Sequence, residues 1–296
     1  MTRIEKNVLV DVTNLDETGK VVLDDIYNRP DPRGYFTALK PLQYMIPQLA
    51  KPVFDEVIAA FRRMRNKKRP KLVDVGCSYG VNAALLKHRM DLAQLYDLYA
   101  DRSAAELTRD RLMARDRRLF AADAGASALD VVGLDSAERA VAYAVETGIL
   151  DDGVAADLEA NEPEAGERDA LSDADLVIST GCIGYVGAPT FARILDANRA
   201  TRPWLAHFVL RMFSFEPLCN LFKARGYLTE KAQGRLFRQR RFASGVEQAE
   251  VLGRLEERGV DAAGREAEGW LYAEFFLSRP AEEARRMPLA EILGHG

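Results

Sequence analysis

The chain reads as an α/β protein built on a mainly parallel sheet with helices on both faces, and three observations predict it. From residue 72 onward, short apolar runs alternate with stretches of helical spacing. The first run, within KLVDVGCSYGVNAALL at 71–86, passes through a glycine-bounded loop directly into a helical pattern. No apolar stretch approaches the ~18 residues that a membrane helix requires. With 296 residues, the chain can bury a sizeable core.

Residues 1–69 are expected to form an N-terminal arm followed by helices, acting as a lid or cap. Pro30, Pro32 and Gly34 break any long regular element early in this stretch. The segment LQYMIPQLAKPVFDEVIAAFRRMRNKK then reads as helix, interrupted at Pro47 and resumed from Pro52, with Val53, Phe54, Val57, Ile58 and Phe61 on one face. Residues 70–296 form the expected core. Its strands are placed at 72–75, 129–134, 154–158, 175–180, 205–213 and 272–278, and its helices at 81–90, 136–147, 190–200 and 246–258. Two connections exceed a simple crossover and read as insertions. Residues 89–128 have helical spacing and predict one or two extra helices; residues 214–245 are basic.

Charge is unevenly spread along a chain of net charge −4. Residues 151–175 hold ten acids and one arginine, as expected of a solvated connector, whereas 216–245 carry seven Lys or Arg against two Glu. Cys77, Cys182 and Cys219 lack CxxC spacing and predict free thiols in a reducing compartment. His88, His207 and His295 form no metal-binding pattern, so no metal is expected. The start MTRIEKNVLV has no apolar run suited to a signal peptide, which makes the cytoplasm the expected location.

A buried strand that ends at Gly76, before a loop closed by Gly80, aims backbone N–H groups and a helix start over the sheet's carboxyl edge. Open α/β sheets hold nucleotides there. The loop is GCSYG, however, which lacks both GxGxxG for a pyrophosphate and GK[ST] for a triphosphate. Asp74 beside it repels phosphate and favours a cationic ligand.

Val73, Asp74, Val75, Gly76, Cys77, Ser78, Tyr79 and Gly80 together resemble the first motif of the class I S-adenosylmethionine-dependent methyltransferases. The family commonly has a third glycine where Ser78 stands. The resemblance implies a Rossmann-like, seven-stranded, mostly parallel sheet whose last strand is antiparallel, and S-adenosyl-L-methionine as cofactor. It spans roughly residues 70–280.

An adenosyl ligand needs an acid after the next strand to accept its ribose hydroxyls. Asp135 fits, since it follows an apolar run and precedes Ser136, an N-cap residue. Its separation from Gly76 exceeds the ~20 residues of a compact unit, and the 89–128 insertion accounts for the excess. Asp97, at the conventional distance, has no strand before it and is rejected. The resemblance further implies Asp157 and the Leu158 backbone at the adenine, and Ser179, Thr180 and Gly181 beside the transferable methyl.

The acceptor side is less distinctive. His207 and Arg211 share one face of the 205–213 strand and are the candidate catalytic residues, although a satisfied core histidine and a structural ion pair produce the same pattern. Arg238, Arg240 and Arg241 suit capture of a carboxylate, and Arg241 is taken as the substrate ligand with Arg211. Tyr35 and Tyr185 are further candidate substrate contacts. The leading expectation is a small-molecule, anionic acceptor, with no nucleic-acid or membrane partner and with homodimerisation left open. RNA or protein methylation and a non-catalytic adenosyl-binding role remain as alternatives, while NAD-dependent oxidoreduction is disfavoured by the loop.

Overall fold

In the computed structural model, the residues described are 15, 16, 20, 24–122 and 127–294. His295 and most of the expected arm before residue 24 lie outside them. The chain begins with short helices α1 (Asp24–Tyr27) and α2 (Arg33–Leu39), then the long α3 (Ile46–Arg65). Strand β1 (Lys71–Val75) leads to α4 (Val81–Leu86), after which α5 (Leu92–Ala100), α6 (Arg102–Ala105) and α7 (Arg109–Ala122) precede β2 (Asp130–Asp135). Then come α8 (Glu138–Glu146), β3 (Asp152–Ala155), α9 (Ala165–Leu171), β4 (Leu176–Thr180), α10 (Ala188–Ala197) and β5 (Trp204–Leu210). The chain closes with α11 (Glu216–Ala224), β6 (Tyr227–Lys231), β7 (Phe237–Arg241), α12 (Gly245–Glu257), β8 (Trp270–Pro280), α13 (Ala281–Arg286) and α14 (Leu289–Ile292).

The sheet runs in the order β3-β2-β1-β4-β5-β8-β6, with β7 also paired to β8. The strands from β3 to β5 are parallel, while β8 is antiparallel to β5, β6 and β7. Strand β8 pairs through Ala273–Ser278 with β5 on one side; on the other it meets β6 near its end and β7 near its start. Strand order reverses direction at β1, which has β2 on one side and β4 on the other. This opens a crevice above their carboxyl ends, where ligands bind in open α/β sheets. The mostly parallel sheet with a late antiparallel strand is therefore present, and it contains eight strands.

Apolar strands β1, β2, β4 and β5 are buried on both faces, as the near-continuous Val, Leu and Ile runs require. Helix α3 covers one face, packing Phe54 edge-on to Phe208 and Phe61 to Trp204. On the other face α10 and α11 bring Phe191, Leu218 and Phe222 against Val177, Leu205 and Val209.

Several boundaries differ from expectation. Helix α3 is one element, with Pro47 in the first turn where no donor is missed, and it continues through Pro52. The 89–128 stretch holds three helices, and Arg33 ties α2 to this insertion by donating to the carbonyls of Ala104 and Leu107. The 214–245 stretch supplies α11, β6 and β7, and so is part of the sheet. Strand β3 stops at Ala155 because Asp157 Oδ1 accepts from the N–H groups of Glu159 and Ala160 and turns the chain.

Candidate active site

A cleft of about 740 Å³ opens over the carboxyl ends of β1, β2, β3 and β4. The loop after β1 forms its floor. Gly76, Ser78 and Gly80 all have positive φ, at 72°, 48° and 76°. Glycine adopts that conformation freely, but for serine it costs roughly 1–2 kcal/mol. Ser78 is held there because its N–H donates to Asp135 Oδ2 at 2.8 Å, while the Gly76 N–H donates to the Leu134 carbonyl. The serine hydroxyl is buried, faces the cleft's lining and has no partner among the described residues. A Cβ on Gly76 would lie 2.6 Å from the Cβ of Cys182, so only glycine lets β1 and the loop after β4 approach this closely.

Asp135 ends β2 and lines the cleft. Its other oxygen accepts from the Ala137 N–H at 2.9 Å. Each carboxylate oxygen retains a further lone pair, so the group can brace the loop and still receive ligand hydroxyls. Burial raises its pKa, with the backbone donors of Ala137, Ser78 and Ser136 opposing. Ser136, Asp157 and Leu158 continue the same wall, and Thr180, Gly181 and Cys182 form the opposite one. Glu159 joins the two sides by accepting from the Gly187 N–H and the Thr190 hydroxyl.

Asp74 does not line the cleft; it is fully buried behind the floor. Asn82 of α4 donates to Asp74 Oδ1 at 2.9 Å and to Thr180 Oγ1 at 3.1 Å, whereas Asp74 Oδ2 has no partner among the described residues. Burial pushes the carboxyl up to about 7; the Asn82 hydrogen bond opposes this and the nearby Asp135 charge adds to it.

The arm closes the other end. Tyr79, within the loop itself, accepts from the Arg29 N–H and donates to the Arg29 carbonyl, stapling the end of α1 across the β1 loop. Tyr35 packs edge-on to Tyr27, Tyr44 and Tyr79 with ring centroids 5.5, 6.3 and 5.8 Å away, and Tyr27, Tyr35 and Tyr44 all line the cleft. Lys20 lines it too, its ammonium 4.8 Å from the centroid of the Tyr185 ring, whose hydroxyl donates to Asp16.

The cleft thus gathers Gly76, Cys77, Ser78, Asp135, Ser136, Asp157, Leu158, Thr180, Gly181, Tyr35 and Tyr185. Asp97 projects from α5 into solvent, away from it. Six expected residues stand elsewhere. Besides Asp74, Gly80 starts α4 beneath the loop, packed against Ile149 and Leu150. Ser179 points to the sheet's other face and meets His207 Nδ1 at 2.8 Å, as their paired positions on β4 and β5 dictate.

His207 is fully buried among Phe191, Phe215 and Phe222, and burial pulls its pKa down to about 3, so it is a neutral core residue and no base for this cleft. Arg211 lies just beyond β5, where it donates to Glu266 at 2.6 Å and to the Asp261 carbonyl at 2.7 Å. Arg241 is exposed and stacks on Trp270, 4.2 Å from the ring centroid.

The arginine that does reach the cleft is Arg240, and a bulge puts it there. Arg238 pairs with Tyr272 and Arg241 with Trp270, so β7 carries one residue more than β8 between these pairs. Gln239 and Arg240 consequently both turn inward, and both line the cleft. Arg240 is matched by Glu247 through two hydrogen bonds of 2.9 and 2.6 Å. Gln239 lies against Gly181, where a Cβ would collide with its amide nitrogen, and its Oε1 is buried without a partner among the described residues. Sequence reading missed Asn82, Gln239 and Lys20, and of the arginines it grouped as carboxylate ligands it chose Arg241 over Arg240. Of the three missed, only Asn82 carried a signal, as the lone polar residue in VNAALL.

No family model matches the chain, and no curated protein matches it. Solved structures that overlap it include a TehB-like SAM-dependent methyltransferase from Corynebacterium glutamicum, at 15% identity over 77% of this chain and 95% of that one, with a TM-score of 0.36. The plantazolicin methyltransferase BamL, solved with SAH and a desmethylPZN analogue, overlaps at 8% identity, 78% and 85% coverage and a TM-score of 0.42. The magnesium protoporphyrin IX methyltransferase of Synechocystis, with bound SAM, overlaps at 11% identity, 77% and 79% coverage and a TM-score of 0.37. Overlap at these TM-scores is loose, so the case for a function lies in the geometry of the cleft.

Proposed function

We propose that the chain is an S-adenosylmethionine-dependent methyltransferase acting on a small, anionic molecule. The observation that carries this reading is a cleft at the reversal of strand order that joins a ribose-type carboxylate, Asp135, to a floor that lacks the phosphate-binding glycine pattern and is backed by a buried carboxylate, one of whose oxygens has no partner among the described residues. A dinucleotide would bring its diphosphate towards Asp74 and Asp135. A sulfonium ligand with an ammonium group suits those charges.

In this reading Asp135 receives the ribose hydroxyls, and Asp157 with the Leu158 backbone meets the adenine. The Gly76–Ser78 loop, supported by Asp74 through Asn82, holds the methionine end. When bound, the cofactor supplies a methyl group already activated by its sulfonium. The protein then has to align and dehydrate the site, a contribution that reaches ~7–11 kcal/mol in favourable cases. The arm is its cap: Tyr27, Tyr35 and Tyr44 close the end against water.

His207, Arg211 and Arg241 lie outside the cleft, so neither a histidine base nor an arginine ring at the acceptor belongs to the proposal. The anionic acceptor is instead supported by Lys20, a cation on the cleft wall.

Calorimetry on the full-length protein tests the reading. S-Adenosylhomocysteine is expected to bind in the micromolar range or tighter and NAD not to bind. Tight NAD binding with no response to the adenosyl ligand overturns it.

A further inference from the structure

Two groups on the acceptor side of the cleft have unmet needs of opposite kind. Lys20 is only 9% exposed, yet its ammonium finds no hydrogen-bond acceptor among the described residues and lies over the Tyr185 ring instead. A buried ammonium left in that state is costly unless an anion joins it. Arg240 does not relieve it, being a second cation that Glu247 already occupies. Burial and Arg240 pull the Lys20 pKa down to about 8, with Asp16, Glu247 and Cys182 opposing.

Gln239 presents the converse. Its Oε1 is an acceptor without a donor among the described residues, buried where the amide rests on Gly181. Gly181 follows β4 directly and lines the cleft across from Asp135, on the side where the family resemblance expects the transferable methyl. Tyr27, Tyr35, Tyr44, Leu39 and Pro47 line the same end of the cleft, giving flat apolar surfaces with hydroxyl edges.

We propose that the acceptor is a small aromatic acid that carries its nucleophile as a separate O–H or N–H group: the acid anchors on Lys20, and Gln239 Oε1 receives the O–H or N–H beside the methyl, so that as the O–CH3 or N–CH3 bond forms the CH3–S bond breaks, S-adenosylhomocysteine leaves and the nucleophile's proton passes to solvent. Lys20 and Gln239 are then specificity-determining residues, the first selecting for an anion and the second for a donor-bearing nucleophile. This inference rests on the methyltransferase reading and assigns its substrate class. Charge-assisted and neutral hydrogen bonds in a buried site each discriminate by about tenfold or more.

The test uses full-length protein and begins with S-adenosylhomocysteine binding by calorimetry. If none occurs, the methyltransferase reading fails and this inference falls with it. The loaded protein is then titrated with 4-hydroxybenzoate, salicylate and anthranilate, with phenol and aniline as counterparts lacking the acid, and with 4-methoxybenzoate lacking the donor. The expected result is binding of at least one acid about tenfold or more tighter than its acid-free counterpart. Lys20→Gln should erase that preference, and Gln239→Leu should erase the preference for 4-hydroxybenzoate over 4-methoxybenzoate, both at unchanged S-adenosylhomocysteine affinity. With donor binding intact, failure of every acid to bind at millimolar concentration overturns the inference, as does equal binding of phenol and 4-hydroxybenzoate. Unaltered preferences in both variants overturn it too.

Discussion

The N–H of Ser78 donates to Asp135 Oδ2 at 2.8 Å, fastening the left-handed loop after β1 to the end of β2. In the proposed reading one carboxylate therefore has two duties, shaping the floor and receiving the ribose. Asp135→Ala orphans the N–H groups of both Ser78 and Ala137, at a cost on the order of 2 kcal/mol. Its S-adenosylhomocysteine affinity should fall about 100-fold by calorimetry, with a lower melting temperature. Asp97→Ala, on the solvent face of α5, should change neither, and the opposite pattern would show the wrong acid to have been chosen.

Ser78 keeps a positive φ of 48° where glycine is at ease. Ser78→Gly relieves that strain but loosens the unfolded chain by about 0.4–1 kcal/mol, leaving a net gain between zero and ~1.6 kcal/mol. Ser78→Val adds a branched side chain that tolerates this region worst and should destabilise the protein. Urea midpoints should rank Gly at or above Ser, and Ser above Val. A valine variant as stable as the parent would mean that the loop relaxes without strain.

Asp74 is expected to make both stability and donor binding depend on pH. Its folded pKa of about 7 stands above the ordinary carboxylate value, so the folded state holds the proton more tightly than the unfolded one. Its contribution to stability is complete below pH ~4 and is lost as pH rises through about 7. A cationic ligand favours the ionised carboxylate, so affinity for S-adenosylmethionine should rise between pH 5 and 7 with release of a proton. Asp74→Asn should flatten that rise and make the ligand-free protein more stable at pH 8. An affinity in the parent protein that does not vary over this range would sink the coupling.

His207 acts in the reverse sense. Burial sets its folded pKa near 3, below the unfolded value, so the stability it confers is present above pH ~6.5 and is lost as pH falls towards 3. Replacing the hydrogen-bonded pair together, Ser179→Ala with His207→Phe, should reduce acid denaturation in that window while donor binding stays unchanged. Loss of donor binding in a folded double variant would return His207 to the site.

Local patterns were legible in the sequence; features set by distant pairing were not. The loop at 76–80 and Asp135 could be read because a strand end, a turn and a helix start are written in neighbouring residues. The helical nature of 89–128 followed from its spacing, although not its division into three helices. The misplaced residues share another cause. Alternation along β5 correctly put His207 on one face, but which face looks towards the cleft depends on the sheet's covering helices. Ser179 follows His207 to the wrong side through their cross-strand pairing.

Arg240 and Arg241 are adjacent in sequence and opposite in consequence, because the β7 bulge turns Arg240 inward with Gln239 and leaves Arg241 outside. Arg240 lies buried against Glu247, which also accepts from the Ala243 N–H. Arg240→Ala takes the two-pronged cation from that buried carboxylate, and breaking a buried pair in this way costs about 3–5 kcal/mol. Arg241→Ala removes a stack on Trp270 at an exposed position, worth about 0.5–1 kcal/mol. Arg240→Met combined with Glu247→Leu removes both charges, and its stability should return most of the way to that of the parent. Urea denaturation of the three variants separates the roles: a large loss, a small loss and a near recovery are expected. Equal losses for Arg240→Ala and Arg241→Ala would mean that the bulge does not distinguish them.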